Sequence, residues 1–356
     1  MSRKSTKLFV LALGLIINSQ PRALAQGSRA KKEAAKAIKT LQNWYVPSSG
    51  LYRTTGWWNS ANAFTAVVDY SRISGDKRYL AVIPNTFLHA QEKFPGFINQ
   101  FYDDEGWWAL AWIDAFDLTH DARYLDVASS IFNDMAAAWD DTCGGGIWWS
   151  KEKNYKNAIA NELFLSVAAH LATRTAQRRE QDEYAAWANK EWAWFKASGM
   201  INSSNLVNDG LVTATCKNNK KTVWTYNQGV ILGGLTELSR VQGSSVVLTQ
   251  AKAIADAAIN SLTDRNGVLH EVCESDCGAD GVQFKGILLR NLTSLQQATQ
   301  QESYATFIRT NADSVWNKAR GPHNQLGQVW SGPYTTANAS SQSSALDALI
   351  AASLLK

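Results

Sequence analysis

The sequence predicts an all-α fold, an (α/α)6 barrel (a six-hairpin toroid), as one catalytic-sized domain at 26–356 behind a leader at 1–25. Three observations predict it. Six segments are apolar nearly all round and rich in Ala, Leu and small residues, as buried helices are. The segments between them, such as Gln250 to Leu262, alternate apolar and charged residues at helical spacing, as surface helices do. A degenerate repeat shows where the first two buried segments stop: Lys77-Arg78-Tyr79-Leu80 follows one and Ala122-Arg123-Tyr124-Leu125 the other. Six buried helices alternating with six amphipathic ones imply two concentric rings, with an irregular helical bundle as the alternative. No run of period-two alternation is long enough for a main sheet.

The leader comes first. Arg3, Lys4 and Lys7 form a basic start, Leu8 to Ile17 a short apolar run, and Ala23-Leu24-Ala25 a small-x-small cleavage site. The apolar run is too short to span a bilayer. The mature chain is therefore expected to start at Gln26 and to be secreted, extracellular or in a cell wall. Residues 1–25 hold four basic residues and no acid, so their removal takes the net charge from +4 to neutral. Nucleic acid needs a basic patch and is excluded as a partner. The mature chain is expected to be a monomer free of the membrane.

The inner helices follow in order. The first runs from Asn59 to Tyr70 and stops at Ser74-Gly75-Asp76; the second from Asp103 to Leu118, stopping at His120-Asp121. The third spans Lys156 to Leu171, the fourth Tyr226 to Leu238, the fifth Gly281 to Leu295 and the sixth Ser340 to Leu354. The end of the chain thus reads as a barrel helix, without the spacer and tail of a GPI anchor. No Pro-rich linker interrupts the series. Loops rich in Gly, Trp, Asn and Asp precede the inner helices: Gly56-Trp57-Trp58-Asn59, Cys143-Gly144-Gly145-Gly146-Ile147-Trp148-Trp149, and Trp224-Thr225-Tyr226-Asn227-Gln228. Parallel inner helices gather these loops at one end, as an aromatic-lined pocket.

Four cysteines in a secreted chain suggest disulfides. Cys273 and Cys277 are close enough to staple one loop, which leaves Cys143 for Cys216. The zinc alternative lacks a second short-spaced pair. Three sequons, at Asn202, Asn291 and Asn338, allow glycans in a eukaryotic host. No metal and no cofactor is expected. The five histidines are scattered, and Gly-x-Ser-x-Gly, phosphate-loop and His-Glu-x-x-His motifs are absent.

The segment Phe101-Tyr102-Asp103-Asp104-Glu105-Gly106-Trp107-Trp108 carries the chemistry. Acids at a helix start are favoured by the dipole and cap free N–H groups. That explains one Asp, not two adjacent ones among aromatics, where repulsion and burial raise at least one pKa. A glycosidase needs that conflict: one carboxylate ionised, the other holding a proton. Asp103 and Asp104 are thus the candidate catalytic pair. Helical neighbours point about 100° apart, yet side chains of a first turn can tilt into one funnel. The 15 tryptophans, many paired, suit the C–H faces of sugar rings. Candidate substrate-binding residues are Trp57, Tyr102, Trp107, Trp148, Trp149, Asp209, Tyr226, Asn227 and Gln228. Asp140 and Asp141, a second acidic pair, read as turn residues, as do Asp76 and Asp121. His270-Glu271 and Asn208-Asp209-Gly210 stand evenly between structural and binding roles.

From Tyr102-Asp103-Asp104 and Trp107 to Trp112, through Asp117-Leu118-Thr119, Gly144 to Trp149 and Lys156 to Leu163, to Tyr226-Asn227-Gln228-Gly229, the sequence resembles glycoside hydrolase family 76. The resemblance covers most of the mature chain. It implies the same barrel, endo-cleavage of α-1,6-linked mannan with retention of configuration, Asp103 as nucleophile and Asp104 as general acid/base. Alternatives on the same residues are transglycosylation and a non-catalytic mannan-binding wall protein.

Overall fold

The computed structural model describes residues 20–355, with side chains from Gln26 onward, so the basic and apolar stretches of the expected leader fall outside the described residues. Twelve α-helices are described: α1 (Gln20–Leu41), α2 (Trp57–Ser74), α3 (Val82–His89), α4 (Tyr102–Thr119), α5 (Ala122–Ala136), α6 (Ala158–Arg174), α7 (Arg178–Ala197), α8 (Thr225–Gln242), α9 (Val246–Ser261), α10 (Phe284–Thr299), α11 (Glu302–Lys318) and α12 (Ala339–Ser353). The even-numbered helices pack each on the next, and α12 packs back on α2, closing an inner ring. The odd-numbered helices lie outside; α5, for example, touches α4 and α6, and α7 touches α6 and α8. This is the expected (α/α)6 barrel. Two two-residue hairpins, β1 (Tyr45–Val46) with β2 (Leu51–Tyr52) and β3 (Leu211–Val212) with β4 (Lys217–Asn218), trim the loops. Among the described residues no helix is long and apolar enough to cross a membrane.

The inner helices are buried on every side; in α12 each residue from Ala339 to Ser353 is buried. Small residues let them approach. A Cβ on Gly229 of α8 would stand 2.6 Å from Leu288 Cα, and one on Gly286 of α10 would stand 2.5 Å from Ser344 Cα. The sequence repeat also has a physical basis. After α2 and α4 the chain turns through left-handed Gly75 and His120 (φ 70° and 58°). Asp76 and Asp121 then accept the N–H of Arg78 and Arg123 at 3.0 and 3.1 Å. The outer helix that follows α2 departs from the expected pattern. Residues 77–97 form short 3-10 turns around the eight-residue α3. Pro84 is tolerated only within a first turn, and Pro95-Gly96 breaks the chain again.

Both disulfides form, Cys143–Cys216 and Cys273–Cys277. Two sequon asparagines have internal work for their side chains. Asn338 caps α12 by accepting Ser341 N–H at 2.8 Å, and the Asn291 amide donates to Ile287 O at 2.9 Å.

The loops leading into the inner helices lie on buried carboxamides. Asn161 of α6 accepts Ile147 N–H at 2.7 Å and donates to Ile147 O at 3.0 Å. Gln228 of α8 does the same to Val207, both at 2.8 Å. Gln342 of α12 accepts Leu326 N–H at 2.8 Å, and Asn311 of α11 accepts Leu269 N–H at 2.7 Å. These amides stand where a sheet partner would, satisfying backbone groups that cannot reach water. Gln228 and Asn227 are therefore both buried, and Gln228 holds a loop rather than facing a cleft.

At the opposite mouth every inner helix contributes charge around a cavity of about 160 Å3: Asp69 and Arg72, Asp114 and Asp117, His170 and Arg174, Arg240, Arg290, and Asp347. Arg174 bridges Asp117 (2.7 Å) and Glu237 (2.9 Å), and Arg290 meets Asp347 at 3.4 Å. Burial, reinforced by repulsion from Asp69, pushes Asp114 up to about 7. Burial raises Asp347 to about 7 as well, against the pull of Arg290.

Replacing Gln228 by Leu leaves Val207 N–H and C=O unpaired, so chemical denaturation should report a loss of about 2–4 kcal/mol; an unchanged midpoint and slope would refute the clamp. Asp114 and Asp347 have folded pKa values above their unfolded ones, so the folded state holds the extra protons between pH 4 and 7 and stability falls as pH rises through that window. Asp114→Asn should flatten this fall, read as melting temperature against pH.

Candidate active site

The sequence places three acids and an aromatic run at the start of α4, and the fold turns that start inward. Asp103 lines a cleft of about 300 Å3 with Trp58, Trp107, Trp149, Tyr155, Asn157, Asp209, Tyr226, Asp280 and Phe284. One wall is a run of aromatic rings. Trp58 stacks on Trp107 at 5.6 Å, Trp107 on Tyr226 at 6.4 Å, and Tyr226 on Phe284 at 3.8 Å. Such a wall gives the cleft an aromatic surface against which the C–H groups of a sugar can pack.

Acidic groups face it. Asp103 Oδ2 accepts the Trp149 indole N–H at 3.0 Å, and its Oδ1 accepts Asp104 N–H at 3.1 Å. Asp104 Oδ2 accepts from the Asn99 amide at 2.6 Å. Asp209 is held by the Tyr155 hydroxyl and by the Trp224 indole at 3.2 Å. Asp280 accepts from the Trp58 indole at 2.9 Å. Burial, then the Asp104 charge, raises Asp103 well above the usual carboxylate range. Burial raises Asp104 to about 6, with Asp280 adding to it and Asn99 and Lys93 opposing. The two carboxyls interact, so they share their protons as a unit. A pair poised in this way can hold one proton and one charge near neutral pH, the condition for acid–base work on a substrate oxygen.

The disulfides brace the rim. Cys143–Cys216 ties the glycine run to the β3–β4 hairpin, just after Asp209. Cys273–Cys277 lies against Gly281, beside Asp280.

Of the residues expected from sequence, Asp103, Trp107, Trp149, Asp209 and Tyr226 meet in the cleft, with Asp104 beside them. Trp57, Tyr102, Trp148, Asn227 and Gln228 lie elsewhere. Trp57 packs on Phe94 and Trp108 in the core, and its neighbour Trp58 takes the cleft, because successive residues of a helix point about 100° apart. Trp148 and Trp149 lie in the loop after the glycine run and face different ways. Trp148 turns to buried Lys156 and donates to Asp140 at 2.7 Å. Tyr102 is buried under the Lys151 ammonium, 5.6 Å from its ring. Asp140 is more than a turn residue, since it pairs with Lys156 at 2.9 Å. Glu271 caps α8, accepting Thr225 N–H at 3.2 Å, and His270 pairs with Glu274 at 2.8 Å.

Sequence reasoning missed Tyr155, Asn157, Asp280 and Phe284. Each stands just before an inner helix or at its first residue, so their positions relative to the helix starts were the available signal. Among the described residues no group of His, Cys, Asp or Glu is arranged to hold a metal ion.

The sequence model of glycosyl hydrolase family 76 matches residues 29–356. The chain is 25% identical over 327 residues to the mannan endo-1,6-alpha-mannosidase DCW1 of Saccharomyces cerevisiae, covering 83% of this chain and 71% of that one. A relative from Schizosaccharomyces pombe is 27% identical over 255 residues, 66% of this chain, and the match spans only 57% of that relative's length. Among solved structures, the α-1,6-mannanase GH76A of Salegentibacter sp. HEL1_6 superposes with a TM-score of 0.83 at 25% identity, covering 92% of this chain and 100% of that one. An inactive variant of that mannanase, with two consecutive aspartates changed to asparagine and α-1,6-mannotriose bound, superposes with a TM-score of 0.82 at 24% identity over 92% of this chain and 100% of that one.

Carbon-13 NMR titration of aspartate carboxyls should reveal one signal with a midpoint near 6 and another above it that both vanish in the Asp103→Asn/Asp104→Asn double variant. Signals at ordinary carboxylate pH would refute the raised pair.

Proposed function

The chain belongs to glycosyl hydrolase family 76, and from that premise we propose that it is a secreted, retaining endo-α-1,6-mannanase with Asp103 as nucleophile and Asp104 as general acid/base. The observation that carries this reading is the adjacent carboxyl pair, raised by burial and by the repulsion of Asp104 on Asp103 and of Asp280 on Asp104, opposite an aromatic wall. The other adjacent pair, Asp140 and Asp141, is occupied differently: Asp140 is committed to Lys156 and Trp148. The inactive mannanase variant altered at two consecutive aspartates supports assigning the chemistry to such a pair.

Asp103 reaches the cleft and, when ionised, attacks the anomeric carbon. Its two N–H donors, from Trp149 and from the Asp104 backbone, stabilise that anion against burial. Asp104 delivers the proton to the departing 6-oxygen. A mannosyl ester on Asp103 results. Asp104, now ionised, takes a proton from the water that releases it. In the empty cleft burial weighs most on Asp103, so the shared proton must settle on Asp104 as substrate binds; the competent form is the singly protonated pair. The rings of Trp58, Trp107, Tyr226 and Phe284 receive mannose faces, and Asp209 and Asp280 accept from its hydroxyls.

The same reading takes residues 1–25 as a secretion leader and 26–356 as a single catalytic domain acting as a monomer on α-mannan. The two disulfides fit an oxidising compartment.

Digestion of unbranched α-1,6-mannan by the mature protein should release short oligomannosides. Asp103→Asn and Asp104→Asn should each lower kcat/KM by at least about 100-fold. Proton NMR of early products should show the α anomer first. An early β anomer would exclude retention, and products enlarged by an added acceptor sugar would move the reading to transfer.

A further inference from the structure

The loop after the glycine run is laced to the start of α4. Tyr102 N–H donates to Trp149 O at 2.9 Å, Lys151 N–H donates to Gln100 O at 3.0 Å, and Phe101 pairs with Ser150 as an antiparallel bridge. Two side chains of this loop reach the carboxyl pair by different routes. Trp149 donates directly to Asp103. Lys151 reaches Asp104 through two intermediaries. Its ammonium pairs with Glu105 Oε1 at 3.1 Å, that same oxygen accepts Asn99 N–H at 3.2 Å, and the Asn99 side-chain amide donates to Asp104 Oδ2 at 2.6 Å. Asn99 cannot turn its amide round. Its Oδ1 accepts Phe101 N–H at 2.8 Å, which leaves only the NH2 to face Asp104.

We propose that Asn99 is a positioning residue for Asp104, locked in that role by Glu105 and Lys151. The inference rests on the reading of Asp103 and Asp104 as the catalytic pair and adds to it. Glu105 is the third acid of the α4 start, and its place in the chemistry is otherwise unexplained. It is wholly buried and absent from the cleft lining, and burial, reinforced by Asp134, raises it to about 8 against the pull of Lys151. A buried carboxyl is retained at a cost unless its partners need it. Its partners are Lys151, which also meets Asp134 at 3.0 Å, the Asp134 carboxyl itself, and the Asn99 backbone.

The geometry has two consequences. First, a bond to Oδ2 fixes the Asp104 side chain and leaves Oδ1 as the oxygen that carries the proton. Second, an N–H donor favours the carboxylate over the acid. The charged groups acting on Asp104 are Asp280, which disfavours its ionisation, and Lys93, which favours it, while the repulsion within the pair falls on Asp103; Asn99 works with Lys93. Donating the proton to a leaving oxygen turns Asp104 into the form Asn99 holds. Asn99 therefore stabilises the outcome of the first proton transfer and eases the step.

The test compares wild type, Asn99→Ala, Lys151→Met and Asp104→Ala on two substrates across pH. One is unbranched α-1,6-mannan. The other is a dinitrophenyl α-1,6-mannobioside, whose leaving group departs without a proton. Asn99→Ala should lower kcat on mannan by roughly tenfold or more and move the alkaline limb of kcat/KM up by about one pH unit. It should keep most of its glycosylation rate on the dinitrophenyl substrate. Lys151→Met should shift the limb the same way by less. If folded Asn99→Ala loses both substrates equally with the limb unmoved, the residue is merely structural and the inference falls. If Asp104→Ala cleaves mannan normally, or loses the glycosylation step, read as kcat/KM, alike on both substrates, the acid/base reading itself falls, an outcome separate from any result on Asn99.

Discussion

Buried carboxamides hold the working end of this barrel together. Inner helices that are apolar on every side leave the incoming loops lying against protein, where their backbone groups lose water. Asn161, Gln228 and Gln342 each reach back from an early turn of an inner helix to pair with the backbone at Ile147, Val207 and Leu326. The cleft residues follow directly in the chain. Ile147 precedes Trp148 and Trp149, and Val207 precedes Asn208 and Asp209. Fixing one backbone residue by a helical amide thus sets where the next two or three side chains point. A hydrophobic contact at the same place would bury as much surface but would not define direction, since it carries none of the hydrogen bond's angular demand.

On that frame, the carboxyl pair at the start of α4 is set by competing effects. The helix dipole stabilises an anion there by about 0.3–1 kcal/mol when exposed, and up to about 2 when partly buried. Donors from Trp149 and Asn99 act in the same direction. Burial and repulsion act against them and prevail, as both groups are displaced upward. The result is a pair that neither ionises fully nor stays neutral, and the surrounding aromatic rings keep it so by excluding water.

The two mouths of the barrel handle charge differently. At the far mouth, arginines late in the inner helices interleave with carboxylates, and Arg174 alone serves Asp117 and Glu237. Cations there also complement the negative helix ends. At the cleft mouth Asp103, Asp209 and Asp280 are stabilised by neutral indole and hydroxyl donors instead of by direct ion pairs. Charge at the far mouth is thereby met largely by internal pairing, while the near mouth keeps its carboxyls available to a polar ligand.

The sequence by itself determined the inner helices, because burial on all sides writes an unbroken apolar character into each segment. Their observed limits depart from expectation by only a few residues. It also determined the turns at Asp76 and Asp121 and the acid pair as the centre of interest, since each is a local matter of spacing or of like charges in contact; for the cysteines it offered the short Cys273–Cys277 link, with Cys143–Cys216 only as the remainder. It did not separate Trp57 from Trp58 or Trp148 from Trp149, and it left Tyr155, Asn157, Asp280 and Phe284 out of the cleft. Which member of a pair faces the axis depends on the phase of a helix or an extended loop relative to its neighbours. A shift of one residue rotates a helical side chain by about 100° and turns an extended one to the other face. Nor does the sequence reveal that Asn99, Glu105 and Lys151 form a chain ending at Asp104. That connection needs residues 99–105 and 148–151 to lie side by side, and only ring closure, with the loops pinned by the buried amides, brings them together.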